Sequence, residues 1–301
     1  MSIDLLSSIG HTPLVALKMS EGLPARVLVK LENRNPGGSI KDRVAVYLLE
    51  QAMRHGQLKP GCPVVEATSG NMGIGLALVC AVHGIPCILT MPESMSLERR
   101  RLLQGLGAEL VLTPKEGGMK ACVQRSQAIA AERHGYIPGQ FTNPLAVEAH
   151  YISTGPEIDE ACQGCVDMLI AGVGSGSSLS GVGRFLKERT HCQVVAVEPE
   201  KSCVLSGGKA GLHGIQGIGA GFVPEVLDRG LLDDIVLMAD DEAIGMARRL
   251  MREEGILAGI SSGANVAAAM RMAKREEMRG KTIVTFICDC GERYLSTALF
   301  S

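Results

Sequence analysis

Val64-Val65-Glu66-Ala67-Thr68-Ser69-Gly70-Asn71-Met72-Gly73-Ile74-Gly75-Leu76-Ala77-Leu78-Val79 reads as one strand–loop–helix unit. The β-branched start predicts a strand over 63–67, with the continuous apolar character of a strand covered on both faces. A glycine-rich polar turn follows at 68–73, and the apolar run after it predicts a helix over 73–83. Because the turn opens a helix, backbone N–H groups and the helix dipole favour an anion there, and a substrate carboxylate suits it. A plain N-cap turn is the alternative reading of the same residues.

The unit repeats outward in both directions. Further strands are predicted over 26–31, 87–91, 109–112, 168–171, 194–197, 235–238 and 282–287. Helices are predicted over 41–55, 96–106, 119–133, 147–162, 179–189, 241–253 and 265–275. Alternation of this kind is the signature of α/β architecture: two doubly wound, mostly parallel sheet domains, with a boundary near Asn143-Pro144. In such folds the site belongs at the carboxyl ends of the strands, in the crevice between domains.

Composition narrows the function. A chain of 301 residues holds one large or two medium domains. Its formal net charge of −2 comes without a basic block, so neither nucleic acid nor a membrane surface is expected as a partner. The N-terminus lacks the basic and apolar regions of a secretory signal, and the apolar run 74–82 is too short to span a bilayer; a cytoplasmic protein is expected. Ten cysteines without a secretory signal predict free thiols, mostly small buried hydrophobes. Neither Cys162-Gln-Gly-Cys165 nor Cys288-Asp-Cys290 has the spacing of a zinc ribbon or finger, and no metal is expected.

Four other segments carry chemistry. In Asn35-Pro36-Gly37-Gly38-Ser39-Ile40-Lys41-Asp42-Arg43, glycines permit a tight turn and Ser39 is a candidate N-cap. Lys41 would then stand at the first turn of a helix, where a lysine can form a Schiff base with a carbonyl compound; a solvated surface lysine is the alternative. Gly172-Val173-Gly174-Ser175-Gly176-Ser177-Ser178 reads as a phosphate cradle. It is not a P-loop, and Ser177 takes the third glycine's place in the dinucleotide fingerprint. Glu198 ends the next strand where a ribose-binding acid would stand, so an NAD-dependent dehydrogenase competes. Gly259-Ile260-Ser261-Ser262-Gly263-Ala264 precedes the predicted helix at 265, with a serine N-cap as its structural reading. The stretch 214–222 is too rich in glycine for a regular element and reads as a mobile loop or a close-approach floor for a ligand.

Taken together, these segments resemble the fold-type II pyridoxal-phosphate enzymes, specifically the cysteine synthase (O-acetylserine sulfhydrylase) family. The resemblance runs through 9–14, 35–43, 66–73, 94–100, 140–144, 154–158, 174–178, 214–224, 259–264 and 291–297. It implies a smaller mobile domain over 36–143 that carries the substrate loop. It also implies a larger domain over 1–35 and 144–301 that binds the phosphate of pyridoxal 5'-phosphate. Lys41 would form the internal aldimine and act as general base, Asn71 would bond the ring oxygen, Gly174, Ser175, Gly176, Ser177 and Ser178 would hold the phosphate, and Ser261 would face the pyridine nitrogen. Thr68, Ser69, Gly70, Met72, Gln140 and Gly217 would bind substrate. The implied reaction is β-replacement on O-acetylserine by sulfide, giving L-cysteine and acetate through an α-aminoacrylate.

Departures from the family pattern bear on substrate choice. Met72 stands where a threonine is usual, and Ser177 and Ser178 stand for glycine and threonine. The 214–224 stretch resembles the A-type isozyme, whereas Ile287-Cys288-Asp289 resembles the B-type. Cysteine desulfhydrase, cystathionine β-synthase-like and serine dehydratase activities are the alternatives on the same scaffold. A homodimer is implied, with serine acetyltransferase as a possible protein partner.

Overall fold

The computed structural model describes residues 4–68 and 70–301. In chain order they form β1 (Leu14–Ala16), β2 (Arg26–Leu31), α1 (Lys41–Arg54), β3 (Val64–Ala67), α2 (Asn71–His83), β4 (Cys87–Pro92), α3 (Leu97–Gly105), β5 (Glu109–Thr113) and α4 (Gly118–Arg133). Then come α5 (Leu145–Ala149), α6 (Gly155–Ala161), β6 (Met168–Gly172), α7 (Ser177–Lys187), β7 (Gln193–Pro199), β8 (Asp234–Met238), α8 (Asp240–Glu253), α9 (Ile260–Ala273) and β9 (Thr282–Ile287). Two compact units result. Among the described residues, one holds those before Gly10 together with Asn35–Leu145; the other holds Gly10–Arg34 together with Ala146–Ser301.

The first unit is built on a parallel sheet ordered β3-β4-β5. Val65 and Ile88 pack against Ile129 and Ala130 of α4 on one face. Leu89, one residue along and so on the other face, meets α2, where a Cβ at Gly73 would be crowded, 3.2 Å from a Leu89 methyl. Helix α2 is apolar and buried around most of its circumference, as a helix enclosed on all sides must be.

The second unit carries a sheet ordered β1-β2-β9-β6-β7-β8, parallel except for β1. Val27, Val29, Met168, Ile170, Val195, Val197, Ile283 and Ile287 join one core with residues of α8 and α9. Their neighbours Leu28, Leu169, Val194, Ala196, Val284 and Phe286 point the other way and are buried too. Val194 there meets α7 at Gly183, within 3.1 Å of where a Cβ would stand. Helices therefore cover both faces, which is why these strands show no polar alternation.

Four readings are adjusted. The helix predicted over 147–162 forms, but it is not regular: α5 and α6 are joined by a wider helical turn, His150–Thr154, and Pro156 has no N–H to continue a regular ladder. The short edge strand β1 carries too little pattern to be visible in the sequence. The helix predicted from 265 begins at Ile260, so the supposed loop 259–264 is mostly helical. Of the ten cysteines, five are buried, four half-buried and one, Cys165, exposed, so burial is less general than expected.

Candidate active site

In the first unit, a turn fixes the backbone of Lys41. Gly38 adopts φ +74°, left-handed, and donates to the Asn35 carbonyl at 2.7 Å. The Gly37 N–H donates to Asp42 Oδ2 at 2.6 Å, and a side chain at position 37 would collide with that carboxylate. Ser39 is not the N-cap expected: Ile40 holds that position, while the buried Ser39 hydroxyl accepts the Lys41 N–H at 3.2 Å. Asp42 was missed by sequence reasoning, yet its buried carboxylate closes the turn around Lys41 and sits in the first turn of α1, where the helix dipole favours an acid.

Helix α2 crosses α1 at this point. A Cβ at Gly75 would stand 3.2 Å from the Lys41 carbonyl oxygen and 3.0 Å from the Ala45 Cβ, so any side chain there presses the two helices apart by a few tenths of an ångström. Asn71 opens α2 one turn before Gly75. Upstream, the Thr68 N–H donates to the Thr90 carbonyl at 3.1 Å, and the Thr68 hydroxyl accepts the Gly70 N–H at 3.3 Å. Ser69 lies outside the described residues. Met72 is 2% exposed, and a thioether offers no donor; what it can give an anion is its backbone N–H. Gln140 is buried in a turn whose Gly139 N–H donates to Glu66 Oε2 at 2.9 Å.

In the second unit, the cradle follows β6. Gly176 caps α7 with φ +82°, and a side chain there would strike Leu227. The first bond within the helix runs from the Ser180 N–H to the Gly176 carbonyl, so the amides of Ser177, Ser178 and Leu179 have no acceptor inside the helix. Buried Ser175 and Ser177 hydroxyls lie 3.0 Å apart. The Ser177 side chain thus tucks against Ser175 in place of the glycine usual in this pattern. No acidic side chain occurs in 172–178, and the donor set suits a phosphate.

Three distant segments meet at this cradle. The Cα of Gly174 is so close to Gly217 that a Cβ would stand 2.4 Å from its carbonyl oxygen. Gly217 in turn lies beside the buried Ser261, whose Oγ is 3.5 Å from where a Cβ at 217 would be. The Gly219 N–H donates to the Val173 carbonyl at 2.9 Å and ties the glycine-rich stretch to the end of β6. Sequence reasoning missed two supports. Asn265, fully buried, accepts the Gly172 N–H at 2.7 Å and donates to the Phe286 carbonyl at 3.1 Å. Asp289 fills the space beside Gly259 at the start of α9 and accepts the Tyr294 hydroxyl at 2.6 Å. In the sequence both look like ordinary polar residues at the ends of apolar runs.

The NAD reading fails on Glu198. That carboxylate is 2% exposed and already accepts the N–H groups of Leu205 and Ser206, each at 2.9 Å, along with the Ser206 hydroxyl. A carboxylate buried in this way and turned to three local donors is not presented to a ribose.

Residues 5–289 match the model of the family described as pyridoxal-phosphate dependent enzymes. The chain is 52% identical over 302 aligned positions to a cysteine synthase of Staphylococcus aureus (strain Mu50), covering 99% of this chain and 97% of the relative. Among solved structures, a cysteine synthase from Entamoeba histolytica superposes with a TM-score of 0.96 at 41% identity, over 100% of this chain and 91% of the other. An O-ureido-L-serine synthase gives 0.96 at 40% identity, over 100% and 95%. The chain belongs to the family of pyridoxal-phosphate dependent enzymes.

Proposed function

We propose that this chain is a cysteine synthase, replacing the acetoxy group of O-acetylserine by sulfide to give L-cysteine and acetate. One observation carries the reading above the others: a chain 52% identical to a cysteine synthase along nearly its whole length keeps a lysine at the start of a helix that α2, opened by Asn71, packs against at Gly75. The residues fit the cofactor, since the cradle at Gly174 and Gly176 admits no Cβ and offers amides and hydroxyls without an acid. When bound, pyridoxal phosphate supplies an aldehyde that joins amines and a ring that draws electrons from the α-carbon.

The chain's own residues do the rest. Lys41 Nζ would hold the cofactor, and its amine would take the α-proton of the substrate and later return it. Asn71 would bond the cofactor's ring oxygen. Gly174, Ser175, Gly176, Ser177 and Ser178 would hold its phosphate, and the neutral Ser261 hydroxyl would serve its ring nitrogen. A serine there does not keep that nitrogen protonated as an acid would, which favours loss of a β-substituent over transamination. Thr68, Ser69, Gly70, the Met72 amide and Gln140 receive the substrate carboxylate, and Gly217 floors the site. A smaller mobile domain over 36–143 would close on substrate. Cytoplasmic location, a homodimer and serine acetyltransferase as partner follow from the resemblance alone; among the described residues no helix is long and apolar enough to cross a membrane.

The test is reconstitution with pyridoxal phosphate, borohydride reduction and peptide mass spectrometry, with turnover assayed on O-acetylserine, O-phosphoserine, serine and cysteine. The adduct is expected on Lys41, with cysteine formed fastest from O-acetylserine and sulfide, and with turnover lost in Lys41→Ala. An adduct on another amine, or faster sulfide release from cysteine than cysteine formation, refutes the reading.

A further inference from the structure

Glu66 is the one charged residue of β3, a strand buried along its length, and it pairs in register with Leu89. An apolar side chain would serve packing at that position, and a carboxyl that is 6% exposed is costly there. Burial pushes it up to about 7. The carboxylate nevertheless accepts three backbone N–H groups: Ala67 at 3.2 Å, Gly139 at 2.9 Å and Gln140. The last two belong to a turn that closes on the Gly139 carbonyl, which accepts from Thr142 and Asn143 at 3.0 and 2.8 Å. The same segment runs along β3, with the Val65 N–H on the Tyr136 carbonyl at 2.8 Å. Nothing in this arrangement is consumed by the reaction.

We infer that Glu66 is a positioning residue for the substrate: its carboxylate fastens the Gly139–Gln140 backbone to the end of β3, fixing Gln140 relative to the Thr68 loop that leaves the same strand. The inference rests on the proposed reading in which Thr68 and Gln140 receive the substrate carboxylate. Two segments far apart in sequence must present donors to one small anion, and a misplacement of about 1 Å is enough to weaken binding strongly.

The experiment compares holoenzyme forms of wild type, Glu66→Leu, Gln140→Ala and the double variant, by steady-state kinetics and residue-resolved amide hydrogen exchange. For Glu66→Leu, KM for O-acetylserine is expected to rise about tenfold with kcat within threefold. Exchange at the Gly139 and Gln140 amides is expected to speed up at least tenfold, with the β5 amides unchanged. Adding Glu66→Leu to Gln140→Ala is expected to change KM less than twofold, because the turn then has nothing left to deliver. Unchanged exchange at the two amides overturns the inference, as does a KM within twofold of wild type or a full multiplicative effect in the double variant. If Glu66→Leu does not fold, Glu66→Gln, which leaves one acceptor oxygen for three donors, makes the same comparison. Wild type without turnover on O-acetylserine would refute the functional reading instead, and the exchange rates would still decide the role of Glu66.

Discussion

Replacing Gly174 by alanine probes the cradle with the smallest possible change. The added Cβ would stand 2.4 Å from the Gly217 carbonyl oxygen, a backbone atom that cannot rotate away. An ordinary contact needs about 3.4 Å, so the two segments must part by roughly 1 Å, and overpacking of this size costs about 1–3 kcal/mol. Because Gly219 is bonded to Val173, the strain falls on the whole junction between the cradle and the glycine-rich stretch. Spread over cofactor binding, 1–3 kcal/mol is a weakening of about 5- to 150-fold. The assay is a spectral titration of apoprotein with pyridoxal phosphate. Gly245→Ala in α8 is the control, since a Cβ there meets nothing within 4 Å, and alanine should stabilise that helix interior by up to about 1 kcal/mol. Wild-type cofactor affinity in Gly174→Ala would refute the reasoning, because it would mean that the contact yields without cost.

Three further outcomes are expected. Folding raises the carboxyl of Glu66 from 4.5 to about 7. The stability it contributes is therefore complete below pH 4.5 and lost as pH rises to 7; relative to Glu66→Gln, wild type should lose on the order of 3 kcal/mol across that window, read from urea midpoints. An unchanging difference between the two would contradict it. Tyr294→Phe leaves the buried Asp289 without its hydroxyl donor and should cost about 1–3 kcal/mol in thermal or urea unfolding. Gly75→Val drives α1 and α2 apart at the Lys41 carbonyl, so turnover should fall along with a stability loss of about 1–3 kcal/mol; turnover equal to wild type would show that the crossing does not set Lys41.

Much of this molecule was legible before its structure. Strand–helix alternation is a local property, since each segment's polarity pattern reflects which of its faces are covered, and β2 and β9 fall at the predicted bounds. The turn around Lys41 was legible for the same reason, because proline and glycines restrict or free the backbone within a few residues. Segments of mixed local signal were harder. The stretch from Leu145 to Ala161 has a helix's composition, yet the proline interrupts its ladder. The serine-rich start of α9 looked like a loop because its N-terminal residues are small and polar.

By itself, then, the chain's order of residues determined an α/β architecture, the lysine at a helix start and the glycine-rich turns that open α2 and α7. Only the tertiary structure decided that Gly217 lies against both Gly174 and Ser261, that Asp42 closes the lysine's turn, and that Glu66 is bonded to Gly139 while Glu198 is bonded to Ser206. The reason is physical. Backbone periodicity depends on neighbours three or four residues away, whereas a carboxylate's partner depends on which segments packing brings within 3 Å, and that is a property of the whole fold.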